Sequence, residues 1–242
     1  MQTEDIVRLH SNYSTDERFT SIYDALKSDH HQEIAKISHE IRNPVTLINS
    51  YLQLIATEHP EVNDWNSWSE LIDNMTFLKE LLNDLSNYNN SKMLKYSEAS
   101  PYVILESVIN SYMPKLEAQH IKVSLDKDDP IPPFMLDVVK IQEVFYNILR
   151  NAADAMPDGG HIYCTVRSDT ENIIIHIEDT GDGIAKSELR EIMKPFVTHK
   201  KDGTGLGLSI VNNVVRAHSG FVTLDADTGK GMIVTIILPI MF

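Results

Sequence analysis

The 242-residue chain predicts an α+β protein in two parts, a dimerising helical hairpin followed by an α/β sandwich. Three observations carry this expectation. Apolar residues recur every three or four positions through two long segments between about residues 21 and 96. Short runs beyond residue 97 alternate apolar and polar positions instead, as half-buried strands do. Glycine-rich turns punctuate this second part, around 181–183 and 203–207.

Composition narrows the class. Hydrophobic content of 42% and charged content of 23% are those of a globular protein. The net charge of −14 argues against nucleic acid or an anionic membrane as the general partner, because no excess of Lys and Arg is present to neutralise phosphates. A small phosphate ligand held by a few local groups is still allowed. Cys164 is the only cysteine, so no internal disulfide framework exists and a reducing compartment fits. The run "MIVTIILPIMF" is too short to span a bilayer, and "MQTEDIVRLH" is too polar and acidic for a secretory leader. The expected location is cytoplasmic, with no membrane insertion.

Residues 1–20 are polar without a clear period and read as a tether or the remnant of an input region. Residues 21–96 form the expected hairpin. "SIYD", Ser21 to Asp24, offers a hydroxyl and a carboxylate at helix-start spacing. Ile34, Ile37, Ile41, Val45, Ile48, Leu52 and Ile55 make one seam. The loop "TEHPEVNDWN" interrupts it, "SWSE" at Ser67–Glu70 is a capping box, and Trp68, Leu71, Met75, Leu78, Leu82 and Leu85 make a second seam. One hairpin cannot cover both seams, which predicts a homodimer closing a four-helix bundle. The alternative is that the hairpin packs on the rest of its own chain.

Residues 97–242 form the second domain. "HIYCTVR", "NIIIHIED", "FVTLDA" and "MIVTIILP" read as strands, with "TGKG" turning between the last two. Helices are expected near 105–119 and 137–156, covering one face of the sheet.

The stretch "KISHEIRNPVT" places Pro44 inside the first helix, four residues after Glu40. An interior proline costs roughly 3 kcal/mol and loosens the preceding turn. His39, about 200° around the axis from both Ile37 and Ile41, points away from the seam, with Asn43 one turn on. An exposed histidine is commonly only a surface residue, but a neutral imidazole beside a carboxylate is also a competent nucleophile. Later, Ile141, Phe145, Ile148, Ala152 and Ala155 form the buried stripe of one helix, and Glu143, Asn147 and Asn151 share a polar stripe. Two asparagines in register are either a solvated face or oxygen ligands for a hard cation such as Mg²⁺. "EDTGDGI" ends a strand at Asp179, and Gly181 and Gly183 let the chain turn against a flat ligand whose exocyclic amine the carboxylate would accept. Gly203, Gly205 and Gly207 run into a helix beside Lys200 and Lys201, a phosphate cradle that fits neither the dinucleotide fingerprint nor the Walker loop.

In this order the elements resemble the catalytic core of sensor histidine kinases over about residues 25–242. "SHEIRNP" resembles its phosphoacceptor box, "NILRNAADAM" its asparagine box, "DTGDGI" and "GTGLGL" its glycine boxes, and "KPFVTHK" its phenylalanine box. The set is most similar to the nitrogen-regulation and sporulation kinase branch. The resemblance implies the fold type of the gyrase, chaperone and histidine-kinase ATPases, with ATP and Mg²⁺ as cofactors. It implies that His39 is phosphorylated, that Glu40 acts as general base, and that Asn43 orients water when the protein dephosphorylates its regulator. It further implies that Asn151 ligates Mg²⁺ with Asn147 close by, that Asp179 bonds the adenine amine and that Ile184 packs on the ring. Gly181, Gly183, Lys200, Gly203, Thr204, Gly205, Leu206 and Gly207 would line the nucleotide, under a lid from Pro195 to Thr204. The segment Tyr96–Pro101 would flex to bring the two domains together. His199 and Lys194 depart from the family pattern, where threonine and an acidic residue are frequent. The phosphoryl group would pass to an aspartate in the receiver domain of a response regulator, under a signal from a missing input domain or a separate sensor protein. The alternatives are an ATP-gated conformational ATPase and a nucleotide-binding scaffold without phosphotransfer.

Overall fold

The structure, a computed structural model, describes residues 17–91, 93–127, 131–200 and 203–240; the side chains of residues 17–36 and of His39 are outside that set. The expected tether, residues 1–20, falls mostly outside it. The chain divides into two compact units, Met1–Asn89 and Asn90–Phe242.

The first unit is a hairpin. Helix α1, Glu17–Glu58, is joined by a 3₁₀ turn at Pro60–Asp64 to helix α2, Asn66–Asn90. Two boundaries differ from expectation. Helix α1 begins four residues before Ser21, so "SIYD" does not start it. Helix α2 begins at Asn66, so Ser67 is already in its first turn. Val45 and Leu52 of α1 pack with Met75 and Leu82 of α2, flanked by Trp68, Ile72 and Leu78. The Arg42 guanidinium donates to the Leu82 carbonyl at 3.2 Å and ties the helices near the centre of α1. The helix continues through Pro44. Only part of the first seam is covered: Ile37, Ile41, Ile48 and Ile55 stay exposed, as do Leu47, Tyr51 and Leu54. This stripe is roughly 27 Å long at 1.5 Å per residue.

The second unit is a two-layer sandwich. Its five-stranded sheet has the order β2 (Ile121–Lys127), β4 (Gly160–Ser168), β5 (Asn172–Asp179), β7 (Met232–Pro239) and β6 (Phe221–Ala226). Only the β2–β4 pairing is parallel. One row across the sheet places Cys164 beside Ile177 and Ile177 beside Val234, all buried. Burial pushes the Cys164 thiol up to about 12, so it is an inert packing group. Helices α3 (Pro101–Ala118), α4 (Val138–Asp154) and α5 (Gly207–Ala217) supply the other layer, including the fully buried Leu105, Phe145 and Ile210. The expected helices are thus found close to their expected bounds, while Ala155 caps α4 and is half-buried.

A short pair, β1 (Ser97–Ala99) with β3 (Phe134–Leu136), was not expected. It corrects the flexible segment. Ser97–Ala99 is hydrogen-bonded inside the second unit, and the Lys95 N–H donates to Asp137 Oδ2 at 2.6 Å. The stretch Tyr96–Pro101 is therefore held on the sandwich, and the change from one unit to the other falls at Asn89–Asn90. Asp137 also caps α4, accepting the Lys140 N–H on Oδ1 at 3.0 Å, a contact worth about 1 kcal/mol. Its own N–H donates to Nε2 of the buried His218, whose Nδ1 bonds the Val214 carbonyl at the end of α5. One buried network thus joins the incoming chain to both helices that frame the site below.

Candidate active site

Strand β5 ends at Asp179, a residue only 4% exposed. Its Oδ1 accepts the N–H of Gly181 at 2.9 Å and of Met232 at 3.3 Å, which fixes the carboxylate plane. Among the described residues no group bonds Oδ2. Burial raises the pKa of Asp179, opposed by those two N–H bonds and by the charge of Lys200. The loop after it has little room. Gly183 is left-handed, and a Cβ there would run into the Asp227 carbonyl. Ile184 is half-buried beside this turn. Gly231, also left-handed, lies so close to the Asp179 backbone that no side chain fits. In the sequence "TGKG" signals only a hairpin turn, yet its second glycine also shapes the carboxylate's surroundings.

Helix α4 brings its asparagines to the same region, because Asp182 N–H bonds the Ala155 carbonyl at the end of that helix. The two asparagines are not alike. Asn147 is buried, and the expected open polar stripe is corrected at this position. Its Nδ2 donates to the Glu143 carbonyl at 2.9 Å, and its Oδ1 accepts from Arg150 at 3.2 Å and faces Gly207. Asn147 therefore seats the start of α5. Asn151 is half-buried and offers Oδ1 outward, where it accepts from the Lys200 ammonium at 3.1 Å. The same ammonium meets Asp154 Oδ2 at 2.8 Å. Asp154 was not singled out from the sequence, although it stands three residues after Asn151, on the same face.

The lid leaves and rejoins the fold at a narrow neck. Phe196 N–H donates to the Gly205 carbonyl at 2.9 Å, and a Cβ on Gly205 would meet the Phe196 backbone at 2.6 Å. Phe196 has a φ of 65° and is 62% exposed. Within the lid, Lys200 N–H bonds Thr198 Oγ1, Gly203 N–H bonds the Lys200 carbonyl, and Leu206 N–H bonds Thr204 Oγ1. Leu206 is fully buried, which corrects its expected place on a ligand: its side chain anchors the lid to the core. Lys194 pairs with Glu191 at 2.7 Å, and His199 lies 4.0 Å from Glu188. Lys201 is outside the described residues.

On the hairpin, Glu40 and Asn43 are exposed on α1 while neighbouring Ser38 is buried. His39 is on the same helix, and its side chain is outside the described set.

A carboxylate at the end of a central strand, asparagines on the helix beside it and a glycine-edged lid define a nucleotide-site architecture shared by several ATPases. Residues 136–241 match the family described as histidine kinase-, DNA gyrase B-, and HSP90-like ATPase. Sporulation kinase A of Bacillus subtilis (strain 168) is 34% identical over 217 residues, 86% of this chain and 34% of that protein. Sporulation kinase E of the same organism is 29% identical over 208 residues, 85% of this chain and 28% of that protein. Full-length ShkA in complex with AMPPNP superposes with a TM-score of 0.75 at 22% identity, over 87% of this chain and 46% of that one. The Acinetobacter baumannii histidine kinase AdeS gives 0.61 at 24% identity, over 84% and 98%. The chain spans about a third of the two sporulation kinases. Its domain match and these relatives support a sensor histidine kinase catalytic core.

Proposed function

We propose that the chain works as an ATP-dependent protein-histidine kinase that phosphorylates its own His39 and passes the group to an aspartate of a response-regulator receiver domain. The observation that carries the nucleotide half is Asp179: a buried carboxylate with one oxygen fixed by two N–H groups and the other left for an exocyclic amine. Ile184 packs on the adenine, and Gly181 and Gly183 keep the approach open. Gly203, Thr204, Gly205, Gly207 and Lys200 neighbour the phosphates, with Leu206 supporting them from the core. The ammonium seated on Asn151 Oδ1 is a stand-in that fits Mg²⁺ there, since hard cations choose amide and carboxylate oxygens. No group of three or more His, Cys, Asp or Glu that could hold a metal occurs among the described residues, so water and substrate phosphates would complete the coordination of an ion on Asn151. Bound Mg²⁺ supplies charge neutralisation at the phosphates.

A ring nitrogen of His39 takes the γ-phosphoryl group, the bond to the bridging oxygen breaks, and ADP leaves. Glu40 accepts the other ring proton, and Asn43 orients the water that hydrolyses the regulator's aspartyl phosphate, releasing inorganic phosphate, when the protein acts as a phosphatase. Two copies close a four-helix bundle over the exposed Ile37, Ile41, Ile48 and Ile55, and the signal comes from an input domain or a separate sensor protein. The net charge of −14 supports neither a nucleic acid nor an anionic membrane as partner. No helix among the described residues is long and apolar enough to cross a membrane, and the cytoplasm is the proposed site of action. Incubation with γ-labelled ATP and Mg²⁺ should leave label on the protein that survives alkali and is lost in acid. Hydrolysis of ATP with no label retained would instead assign the chain to the conformational ATPases.

A further inference from the structure

We propose that Asn151 and Asp154 form a two-oxygen cation site at which the lid's own Lys200 competes with a divalent metal, so that metal loading unlatches the lid. The proposal rests on the nucleotide reading above and adds a metal-facing carboxylate, Asp154, and a way for metal arrival to be felt by the lid.

Three features of the molecule support it. Asn151 and Asp154 are three residues apart on α4, so their side chains share a face. Their oxygens converge on one point, Lys200 Nζ, at 3.1 and 2.8 Å. Both are hard donors of the kind Mg²⁺ and Mn²⁺ accept, and a metal bound there would lie closer to each oxygen than the ammonium does. The lysine is also presented by a shaped tip. Its N–H is bonded to Thr198 Oγ1, its carbonyl accepts from Gly203, and the lid's ends are joined by the Phe196–Gly205 bond. Among its described residues the lid is joined at its neck, and Lys200 is held on α4.

Two cations cannot share Asn151 Oδ1 at such distances without strong repulsion. A metal that takes the amide oxygen therefore expels the ammonium. The ion pair with Asp154 is half-exposed, with 41% and 36% of the two side chains accessible, so it is weak enough to be displaced. Once expelled, Lys200 stays on a lid neighbouring the phosphates and exchanges a carboxylate partner for a phosphate one. The lid is shut by its own charge before metal arrives and is free to re-close on the ligand afterwards.

The test uses the full chain without nucleotide, with Mn²⁺ alone as the probe followed by electron paramagnetic resonance, and amide exchange of the lid peptide around 195–204. Lys200→Met should bind Mn²⁺ about tenfold more tightly, the effect of removing one adjacent positive charge, and its lid amides should exchange faster. Asp154→Asn should also speed lid exchange but weaken Mn²⁺ binding, and Lys200→Arg should restore both parent values. Opposite movements of Mn²⁺ affinity in the two variants are the signature, since loss of a merely structural ion pair would not separate them. Unchanged Mn²⁺ affinity in Lys200→Met, or lid exchange unaltered in both variants, overturns the proposal. Neither readout involves ATP, so a protein that fails to bind ATP yet shows the opposite shifts would sink the nucleotide reading and leave the cation site standing.

Discussion

Asp179, the proposed adenine contact, is held at a cost to folding. Its folded-state pKa is raised, chiefly by burial, so the ionised form is disfavoured in the fold. A raised carboxylate contributes stability that is complete below its unfolded value near 3.8 and is lost as pH rises through the folded value. At neutral pH the residue is therefore a liability to stability that substitution can remove. Asp179→Asn keeps an oxygen for the Gly181 and Met232 N–H groups but presents an NH₂ where an amine is to be accepted. The expected outcome is a higher Tm than the parent by calorimetry, together with loss of ATP binding by titration. A lower Tm with binding retained would remove Asp179 from the site. Phe196 is a second residue placed against ordinary preference, with an exposed ring and left-handed backbone at the lid's neck.

At the scale of elements, the buried Asp137–His218 network makes α4, α5 and the incoming chain one mechanical piece. Nε2 of His218 must be an acceptor for the Asp137 N–H, so the ring is neutral with its proton on Nδ1. Burial lowers its pKa, opposed by its bond to Val214 and by the charge of Asp137, and the ring of Tyr96 packs edge-on against it. A histidine whose folded value lies below the unfolded 6.5 stabilises the fold above 6.5 and loses that contribution as pH falls toward the folded value. Denaturant midpoints of the parent should therefore decline as pH drops below 6.5, and His218→Gln should flatten that decline. An equal decline in both would place the acid sensitivity elsewhere. The elements themselves were unevenly legible. In β4, β5 and β7 alternate residues are buried, and β6 alternates exposed and half-buried positions, so a period of two shows. Strand β2 lies at the sheet's edge with one buried residue and no alternation of burial along it, and β1 and β3 are three residues each, too short for a period to show. The start of α1 at Glu17 was missed because its first residues are polar.

Across the whole molecule, chemistry was legible wherever it is written in consecutive residues. "DTGDGI" and "GTGLGL" mark the buried carboxylate of Asp179 and the glycine at the lid's neck, and "SHEIRNP" holds the proposed phosphoacceptor. What was illegible depends on approach between distant residues. Asn147 looked exposed until the start of α5 covered it, and Asp154 acquires meaning only from Lys200, 46 residues away. The exposed apolar stripe of α1 likewise becomes informative once Val45 and Leu52 are known to be the half already used inside the chain. In the proposed mechanism the two units have separable jobs: the sandwich would hold nucleotide and the hairpin would accept the phosphoryl group. The most direct measurement compares His39→Gln with Asn151→Ala for both ATP affinity and retained label from γ-labelled ATP. The account predicts that His39→Gln binds Mg-ATP like the parent and takes no label, whereas Asn151→Ala loses Mg-dependent binding and label together. Full labelling of His39→Gln would contradict it.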